Sequence, residues 1–325
     1  MTINPVTRQE QLMNAVAEGS GPNIVPVTRE EMFLAKAAGQ DVETHEPITR
    51  KEMLLNKIAE NSGCGGGGGV VNSIRLRPGE SPNLGSFSKL GEVFVIASDT
   101  GSKIDDHTFK GKDTLSSIST DAKALGRECF AECECLSSFD APYLETVGES
   151  AFAYCSVLIR VDMPKATFVG ESAFYLCNSI ENIRLPNATF IDALAFGECS
   201  ALSSLYLPLV KTINTNACYG CYVLKVIDLP SVTEIKVEAF AGCTALSTLI
   251  LRTTETVCSV DVTAILGTKI LTEEGMPTGE GFIYIPTSMD AAYRAAYEPV
   301  FEELGAAGLY DILFRKIEDW PEICG

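Results

Sequence analysis

The stretch GESAFAYCSVLIRVDMPKATFV at residues 148–169 is followed without a gap by GESAFYLCNSIENIRLPNATFI at residues 170–191. The two segments share a Gly-Glu-Ser-Ala-Phe start, a cysteine, alternating apolar residues and a proline. The same 22-residue period holds over residues 126–257, which gives six units. A fixed period of this length predicts a repeat protein whose units stack and bury a continuous core.

Each unit carries the same columns of apolar residues. In the third unit, residues 183–185 alternate inward and outward before Pro186, which predicts a short strand that ends there because proline cannot donate to a ladder. Arg252 replaces this proline in the sixth unit. The A-F-x-x-C segment has helical spacing and predicts a short helical turn on the opposite side of each coil. The aromatic column is Phe130, Phe152, Phe174, Phe196 and Phe240, with Cys218 in the fifth unit, and the sulfur column is Cys133, Cys155, Cys177, Cys199, Cys221 and Cys243.

The units resemble the BspA-like leucine-rich repeat family, whose pattern is G-x-x-A-F-x-x-C-x-x-L-x-x-[IV]-x-L-P followed by a hydrophobic residue. The resemblance covers residues 126–257. It implies an α/β repeat solenoid of the leucine-rich repeat type. It also implies a role in adhesion and recognition at surfaces, and it identifies no ligand.

The segments on either side of the six units are expected to close the solenoid, because end coils need covers. Residues 70–125 are interpreted as an N-terminal cap with a degenerate repeat that includes Phe109. Residues 258–325 are interpreted as a C-terminal cap, in which a strand ends at Pro286.

The rest of the C-terminal cap contains helix signals. Thr287 and Asp290 have the spacing of a helix capping pair. Pro299 and Gly305 are expected to bracket a second short helix. The final run places Phe314 at a repeat-like offset and predicts a closing strand.

Residues 1–62 contain a second repeat, of 21 residues, and predict a short all-helical leader. Each copy places a threonine three residues before a glutamate, the reciprocal arrangement that begins a helix. Helices this short must pack on each other, on a partner or on other copies of the chain, so a homo-oligomer is possible. A glycine linker follows at residues 63–69. The leader resembles the N-terminal segments of some phage and prophage structural proteins. The three copies begin at Pro5, Pro26 and Pro47.

The composition excludes several partners. The 43 acidic and 25 basic residues give a net charge of -18, which would repel a nucleic-acid backbone. No apolar run is long enough for membrane insertion. The start MTINPVTRQEQ lacks the pattern of a signal peptide. The expected location is therefore a virion or an extracellular surface, with the chain cytoplasmic until assembly or non-standard export.

The 12 cysteines are mainly explained by the repeat. Neighbouring copies of the sulfur column would lie about 4.8 Å apart, a spacing that disulfides tolerate, but parallel side-chain directions oppose bonding. We expect buried free thiols that act as small apolar residues. The pair Cys218 and Cys221 could also suggest redox or zinc chemistry, although both fall in repeat columns. Cys64, in the glycine run, is the candidate for a reactive exposed thiol.

The sequence contains no recognisable catalytic, cofactor or metal site. His45 and His107 lack ligand spacing. The glycine run follows a predicted helix rather than opening a βαβ unit, so it does not predict a dinucleotide site. Asp105 and Asp106 are not part of a calcium-binding loop. We therefore expect a protein that is not an enzyme and uses no cofactor.

The candidate ligand-binding residues are the outward side chains of the predicted strands, which form two rows along six coils. The rows end at Thr248 and Ile250 in the sixth unit. The leading hypothesis is a recognition protein on a phage or prophage particle that binds a surface protein or glycan. The alternatives are a bacterial cell-surface adhesin and an intracellular protein-binding scaffold. The candidate binding residues are Arg160, Asp162, Asn182, Arg184, Ser204, Tyr206 and Asp228.

Overall fold

The computed structural model describes residues 72–76, 91–97, 102–303 and 308–319. All described residues belong to one compact unit, Asn72–Gly325. The predicted leader helices and glycine linker, with His45 and Cys64, lie outside the described residues.

The repeats form coils that each contribute one longer and one shorter strand, and neighbouring coils pair in parallel. This arrangement confirms the predicted leucine-rich-repeat-type solenoid. The longer strands are β1 (Asn72–Arg75), β2 (Gly91–Ile96), β4 (Leu115–Thr120), β6 (Ser138–Asp140), β8 (Arg160–Asp162), β10 (Asn182–Arg184), β12 (Ser204–Tyr206), β14 (Val226–Leu229), β16 (Thr248–Leu251), β18 (Phe282–Ile285) and β19 (Phe314–Lys316). The shorter strands are β3 (Lys103–Ile104), β5 (Ala124–Leu125), β7 (Thr146–Val147), β9 (Phe168–Val169), β11 (Phe190–Ile191), β13 (Thr212–Ile213), β15 (Glu234–Ile235) and β17 (Ser259–Val260).

The strands build four sheets among the described residues. The eight shorter strands form one sheet that runs from β3 to β17 in chain order. The longer strands form three sheets, in the orders β1-β2-β4-β6-β8, β10-β12 and β14-β16-β18-β19. The register between units is exact: Asn182 lies opposite Ser204, 22 residues later. Every position of a unit therefore lies beside its own copy in the next unit.

The aromatic column is the centre of the core. Phe152, Phe174 and Phe196 are fully buried, and their rings stack almost in parallel at centroid distances of 5.1 and 5.7 Å. The stack begins at Phe109, in the coil that precedes the first unit. Cys218, in the fifth unit, is also fully buried at the aromatic position. The columns inferred from the period are thus the columns of the core.

The A-F-x-x-C segment is not helical, and that prediction was wrong. In the third unit the amides of Ser172, Phe174 and Leu176 donate to carbonyls of the next coil, at 2.8 to 3.0 Å. A helix would direct these amides to carbonyls of its own segment. Ser172 and Leu176 instead adopt left-handed conformations, with φ of 54° and 59°, and the same two positions are left-handed in every unit.

The C-terminal cap consists of β18, helix α1 (Asp290–Glu303), helix α2 (Leu309–Leu313) and β19. The predicted strand that ends at Pro286 is present, as is the closing strand at Phe314. Helix α1 begins at Asp290. Thr287 does not cap it, because Thr287 lies inside a 3-10 turn, Thr287–Met289, that leads into the helix and has no side-chain capping hydrogen bond. Its hydroxyl donates to Glu318 at 2.5 Å.

The helix expected between Pro299 and Gly305 does not form as predicted, because Pro299 lies inside α1. Tyr293, Tyr297 and Phe301 recur every four residues on α1 and are buried, so packing against the solenoid extends across the proline. The second helix, α2, begins later, after Gly308.

Two tyrosines of α1 satisfy the backbone at the free edge of β17. The Tyr293 hydroxyl accepts a hydrogen bond from the Cys258 amide at 2.9 Å. The Tyr297 hydroxyl accepts from the Val260 amide at 2.6 Å and donates to the Cys258 carbonyl at 2.7 Å. The last shorter strand therefore presents fewer unpaired groups to another strand.

Replacing Phe174 by alanine should lower the free energy of unfolding by about 3–5 kcal/mol, because the change removes a fully buried ring from the middle of the stack. Urea denaturation followed by circular dichroism would measure the loss. Phe190→Ala is the matched control, since Phe190 also stacks on a neighbouring phenylalanine but is 36% exposed. Equal losses in the two variants would contradict the assignment of the core.

Tyr297→Phe should lower the free energy of unfolding by about 1–3 kcal/mol, because it leaves two backbone groups at the edge of β17 without their partner. Hydrogen-exchange mass spectrometry should show faster exchange around Val260. Tyr206→Phe, which alters a half-exposed tyrosine on a longer strand, should leave both measurements unchanged. Unaltered exchange in Tyr297→Phe would show that the hydroxyl does not protect this edge.

Candidate functional site

The longer strands of the second to fourth units present two outward side chains each, and we call this surface the long-strand face. Ile183 and Leu205 point inward and are 2% and 6% exposed. Their neighbours on each strand point outward because side chains alternate along a strand. The long-strand face consists of Arg160, Asp162, Asn182, Arg184, Ser204 and Tyr206, all of which are exposed.

Arg184 and Tyr206 form a pair across adjacent strands of this face. They lie directly opposite each other in the ladder, and the guanidinium carbon is 4.8 Å from the centre of the tyrosine ring. A guanidinium stacked on a ring keeps the N–H groups at its edge available for a ligand. The ring also restricts the long arginine side chain, so fewer conformations would be lost on binding.

Two carboxylates lie side by side at one end of the face. Asp162 lies opposite Asp140 of the preceding coil, and Arg160 lies opposite Ser138. Asp140 also accepts a hydrogen bond from Ser119 at 3.4 Å. Asp140 and Asp162 place two carboxylates on one side of Arg184, and Tyr206 places an aromatic ring on the other. Together these side chains offer hydrogen-bond acceptors, donors and an apolar surface within a few strands.

Asp228 differs from the other predicted residues because it is already paired. Arg252 donates from Nε to both carboxylate oxygens at 2.9 Å, and a second guanidinium nitrogen lies 2.8 Å from Oδ2. Arg252 is the residue that replaces the repeat proline. The position at which the sixth unit lacks the repeat proline therefore carries a bidentate ion pair. Asp228 is an ion-paired neighbour of the long-strand face.

The predicted outward rows end earlier than expected. Thr248 is 9% exposed and Ile250 is fully buried, so neither belongs to an exposed surface. Phe282 and Tyr284 of β18 lie directly beside them in the ladder. The C-terminal cap thus covers the sixth unit, which a period count alone does not reveal.

The sulfur column is buried, and its thiols donate hydrogen bonds to the backbone. The Cys177 sulfur lies 3.1 Å from the Phe152 carbonyl, and the Cys199 sulfur lies 3.1 Å from the Phe174 carbonyl. Burial raises the pKa of the Cys199 thiol to about 12. These thiols therefore remain protonated and unreactive at neutral pH.

A comparison with known families finds six copies of the BspA-type leucine-rich repeat region, over residues 86–203 and 123–247. The solenoid belongs to the BspA-type leucine-rich repeat family.

Three solved structures align with parts of this BspA-type chain. They are a leucine-rich repeat protein of T. pallidum (20% identity, 60% of this chain and 76% of that chain, TM-score 0.37), a leucine-rich repeat protein of Bacteroides ovatus (19%, 76% and 76%, 0.37) and the pneumococcal vaccine antigen PcpA (13%, 70% and 82%, 0.26). These identities and TM-scores are too low to carry a conclusion about function. A search of curated proteins finds no significant match.

Other residues considered for chemistry lie on the surface of the BspA-type solenoid. His107 is exposed and lies 3.7 Å from a Glu128 oxygen, and Lys103 lies within 4 Å of Asp105 and Asp106. Across the described part of the chain, no group of three or more metal-ligating side chains is arranged to hold an ion. Within the same ranges, none of the helices is long and apolar enough to cross a bilayer.

One surface feature was missed at the level of sequence. Four tyrosines are grouped in the segments between the shorter and longer strands of the BspA-type repeats. The available signal was the presence of aromatic residues at unit positions where the other units carry alanine, glycine, leucine or polar residues. The four are Tyr154, Tyr175, Tyr219 and Tyr222.

A thiol titration should distinguish buried free cysteines from disulfides. Nine of the ten described cysteines are buried and Cys135 is exposed, all ten as free thiols. In a variant with Cys64 and Cys324 replaced by serine, one thiol per chain should react with Ellman's reagent in the native state and ten after unfolding in guanidinium without reductant. Fewer than ten after unfolding would indicate disulfides.

Proposed function

We propose that the protein is a non-enzymatic recognition protein whose long-strand face binds a protein or a glycan on a surface. The observation that carries the proposal is the array of six exposed polar and aromatic side chains on three strands whose inward residues are buried or, at Val161, partly buried. The backbone of these strands is held by hydrogen bonds to neighbouring coils. Such an array is preorganised, which reduces the loss of entropy on binding.

The chemistry of the face favours recognition over catalysis. Arg184 can form bidentate hydrogen bonds to a carboxylate, and Tyr206 offers an aromatic surface. Both residue types are enriched among the residues that contribute most to binding at protein interfaces. The buried thiols lie inside the solenoid and take no part in the face. The repeats belong to a family whose units stack side by side and do not enclose a pocket. This architecture also fits recognition better than catalysis.

Two settings are proposed for this recognition. The resemblance of the leader to phage and prophage structural proteins favours an appendage of a particle, attached through the N-terminal helices. The BspA-type repeats favour a cell-surface adhesin as the alternative. Mass spectrometry of particles purified after prophage induction, compared with peptides shaved from uninduced cells, separates the two settings. Presence in particles supports the appendage, and presence only among shaved peptides supports the adhesin.

The double change Arg184→Ala and Tyr206→Ala should reduce binding to bacterial cell envelopes at least roughly tenfold, because two central contacts are lost together. The melting temperature should stay nearly constant, since both side chains are exposed. Binding of the fluorescently labelled protein to purified envelopes would measure the effect. Protease treatment or periodate oxidation of the envelopes would then distinguish a protein target from a glycan.

The matched control is Tyr143→Ala with Lys165→Ala. This pair also places a cation over an exposed tyrosine ring, at 5.0 Å, but it lies outside the long-strand face. Unchanged binding by the first double variant, or equal losses in both, would rule out the long-strand face as the binding site.

A further inference from the structure

A group of four tyrosine side chains, three of them exposed and one half-buried, lies on the segments between the shorter and longer strands of the second to fifth units. We call it the tyrosine patch: Tyr154, Tyr175, Tyr219 and Tyr222, with Glu198 among them. Tyr154, Tyr219 and Tyr222 are 49%, 38% and 44% exposed. Tyrosines that expose a ring and a polar hydroxyl are enriched at protein interfaces.

The side chains of the patch are positioned by direct contacts. The rings of Tyr154 and Tyr175 are perpendicular, with centroids 5.8 Å apart. The hydroxyl of Tyr222 donates a hydrogen bond to Glu198 at 3.1 Å. This bond raises the pKa of Tyr222, while burial and the neighbouring Tyr154, Glu198 and Tyr219 raise that of Tyr175. Tyr175 and Tyr222 therefore remain neutral at physiological pH.

Glycines in neighbouring coils make room for this arrangement. A Cβ atom added to Gly197 would lie 3.1 Å from the Tyr175 ring, and one added to Gly220 would lie 2.9 Å from the Glu198 carboxylate. The Tyr175 ring and the Glu198 carboxylate can thus extend over the next coil. Larger residues at these two positions would displace both groups.

The fold does not require aromatic residues at these positions. The first unit has Ala131 and Glu132 where the second has an alanine and Tyr154, and the sixth unit has Ala241 and Gly242. The turn has the same closing hydrogen bond in both of these units. In each, the amide of the sulfur-column cysteine donates to the carbonyl of the phenylalanine three residues before it, at 3.1 to 3.3 Å. The tyrosines are therefore available for a role outside the core.

Glu198 brings negative charge to the patch. Within the described ranges it forms no salt bridge, whereas Glu128, on the same segment of the first unit, is paired with Lys110 and Arg127. A carboxylate can accept about four hydrogen bonds, and the structure assigns Glu198 one side-chain donor, Tyr222. It can accept further bonds from a cation.

We propose that the tyrosine patch binds an alkylammonium group, namely the side chain of a lysine on a protein partner. Ring faces attract a cation through their quadrupole, and Glu198 supplies a full opposite charge beside them. The patch is open on the outside of the coils, where a side chain projecting from another protein can reach it. The net charge of -18 further favours a basic partner.

Nuclear magnetic resonance with ring-labelled tyrosine tests the proposal on the full chain. The probes are acetyl-Gly-Lys-Gly-amide and its norleucine counterpart, which has the same length and no charge. The lysine peptide should cause saturable shifts of the four patch tyrosines, assigned from single Tyr→Phe variants, and the norleucine peptide should not. The absence of shifts, or equal effects of the two peptides, would overturn the proposal.

Glu198→Gln should weaken binding of the lysine peptide roughly fivefold, the size expected for the loss of one exposed ion pair. Glu234→Gln removes the same charge from an exposed position on β15, outside the patch, and should leave the affinity unchanged. Equal weakening by both variants would indicate attraction to overall charge and would overturn the site. Tighter binding of choline than of the lysine peptide would overturn the assignment to lysine.

Discussion

Parallel stacking in exact register, 22 residues apart, is the constraint on which the rest of the structure depends. Because each position lies beside its own copy, a buried residue must pack well against a residue of the same kind. Phenylalanine satisfies this requirement with rings stacked at 5.1 to 5.7 Å. Cysteine satisfies it with a small side chain whose thiol donates to the carbonyl of the preceding coil. The similarity of the units thus follows from contacts between coils.

The same constraint determines how the coils turn and end. Amides that bond to the next coil must point along the solenoid, which needs left-handed residues twice per unit, such as Ser172 and Leu176. Each left-handed residue other than glycine costs about 1–2 kcal/mol, and the bonds between coils offset this strain. Where the stack stops there is no next coil, and Tyr293 and Tyr297 supply hydroxyl groups in place of its backbone.

The sequence was sufficient to predict features that repeat and insufficient for those that depend on one location. The core columns, the strands before each proline and the closing strand at Phe314 followed from the period. The helical turn did not form, since A-F-x-x-C spacing cannot distinguish amides that bond within a segment from amides that bond to the next coil. The burial of Ile250 and the pairing of Asp228 depend on the C-terminal cap and on Arg252, both outside the repeat pattern.

Outward positions are where the units differ, and both proposed binding surfaces consist of such positions. A buried position is restricted by its copies above and below, whereas an outward side chain is restricted only by its neighbours on the surface. Pairs such as Arg184 with Tyr206, and Tyr154 with Tyr175, arise where adjacent units place complementary groups at fixed spacing. The rigid ladder gives each pair a defined geometry without a pocket. A change in one outward residue can therefore alter recognition while the core, and the stability it provides, stays the same.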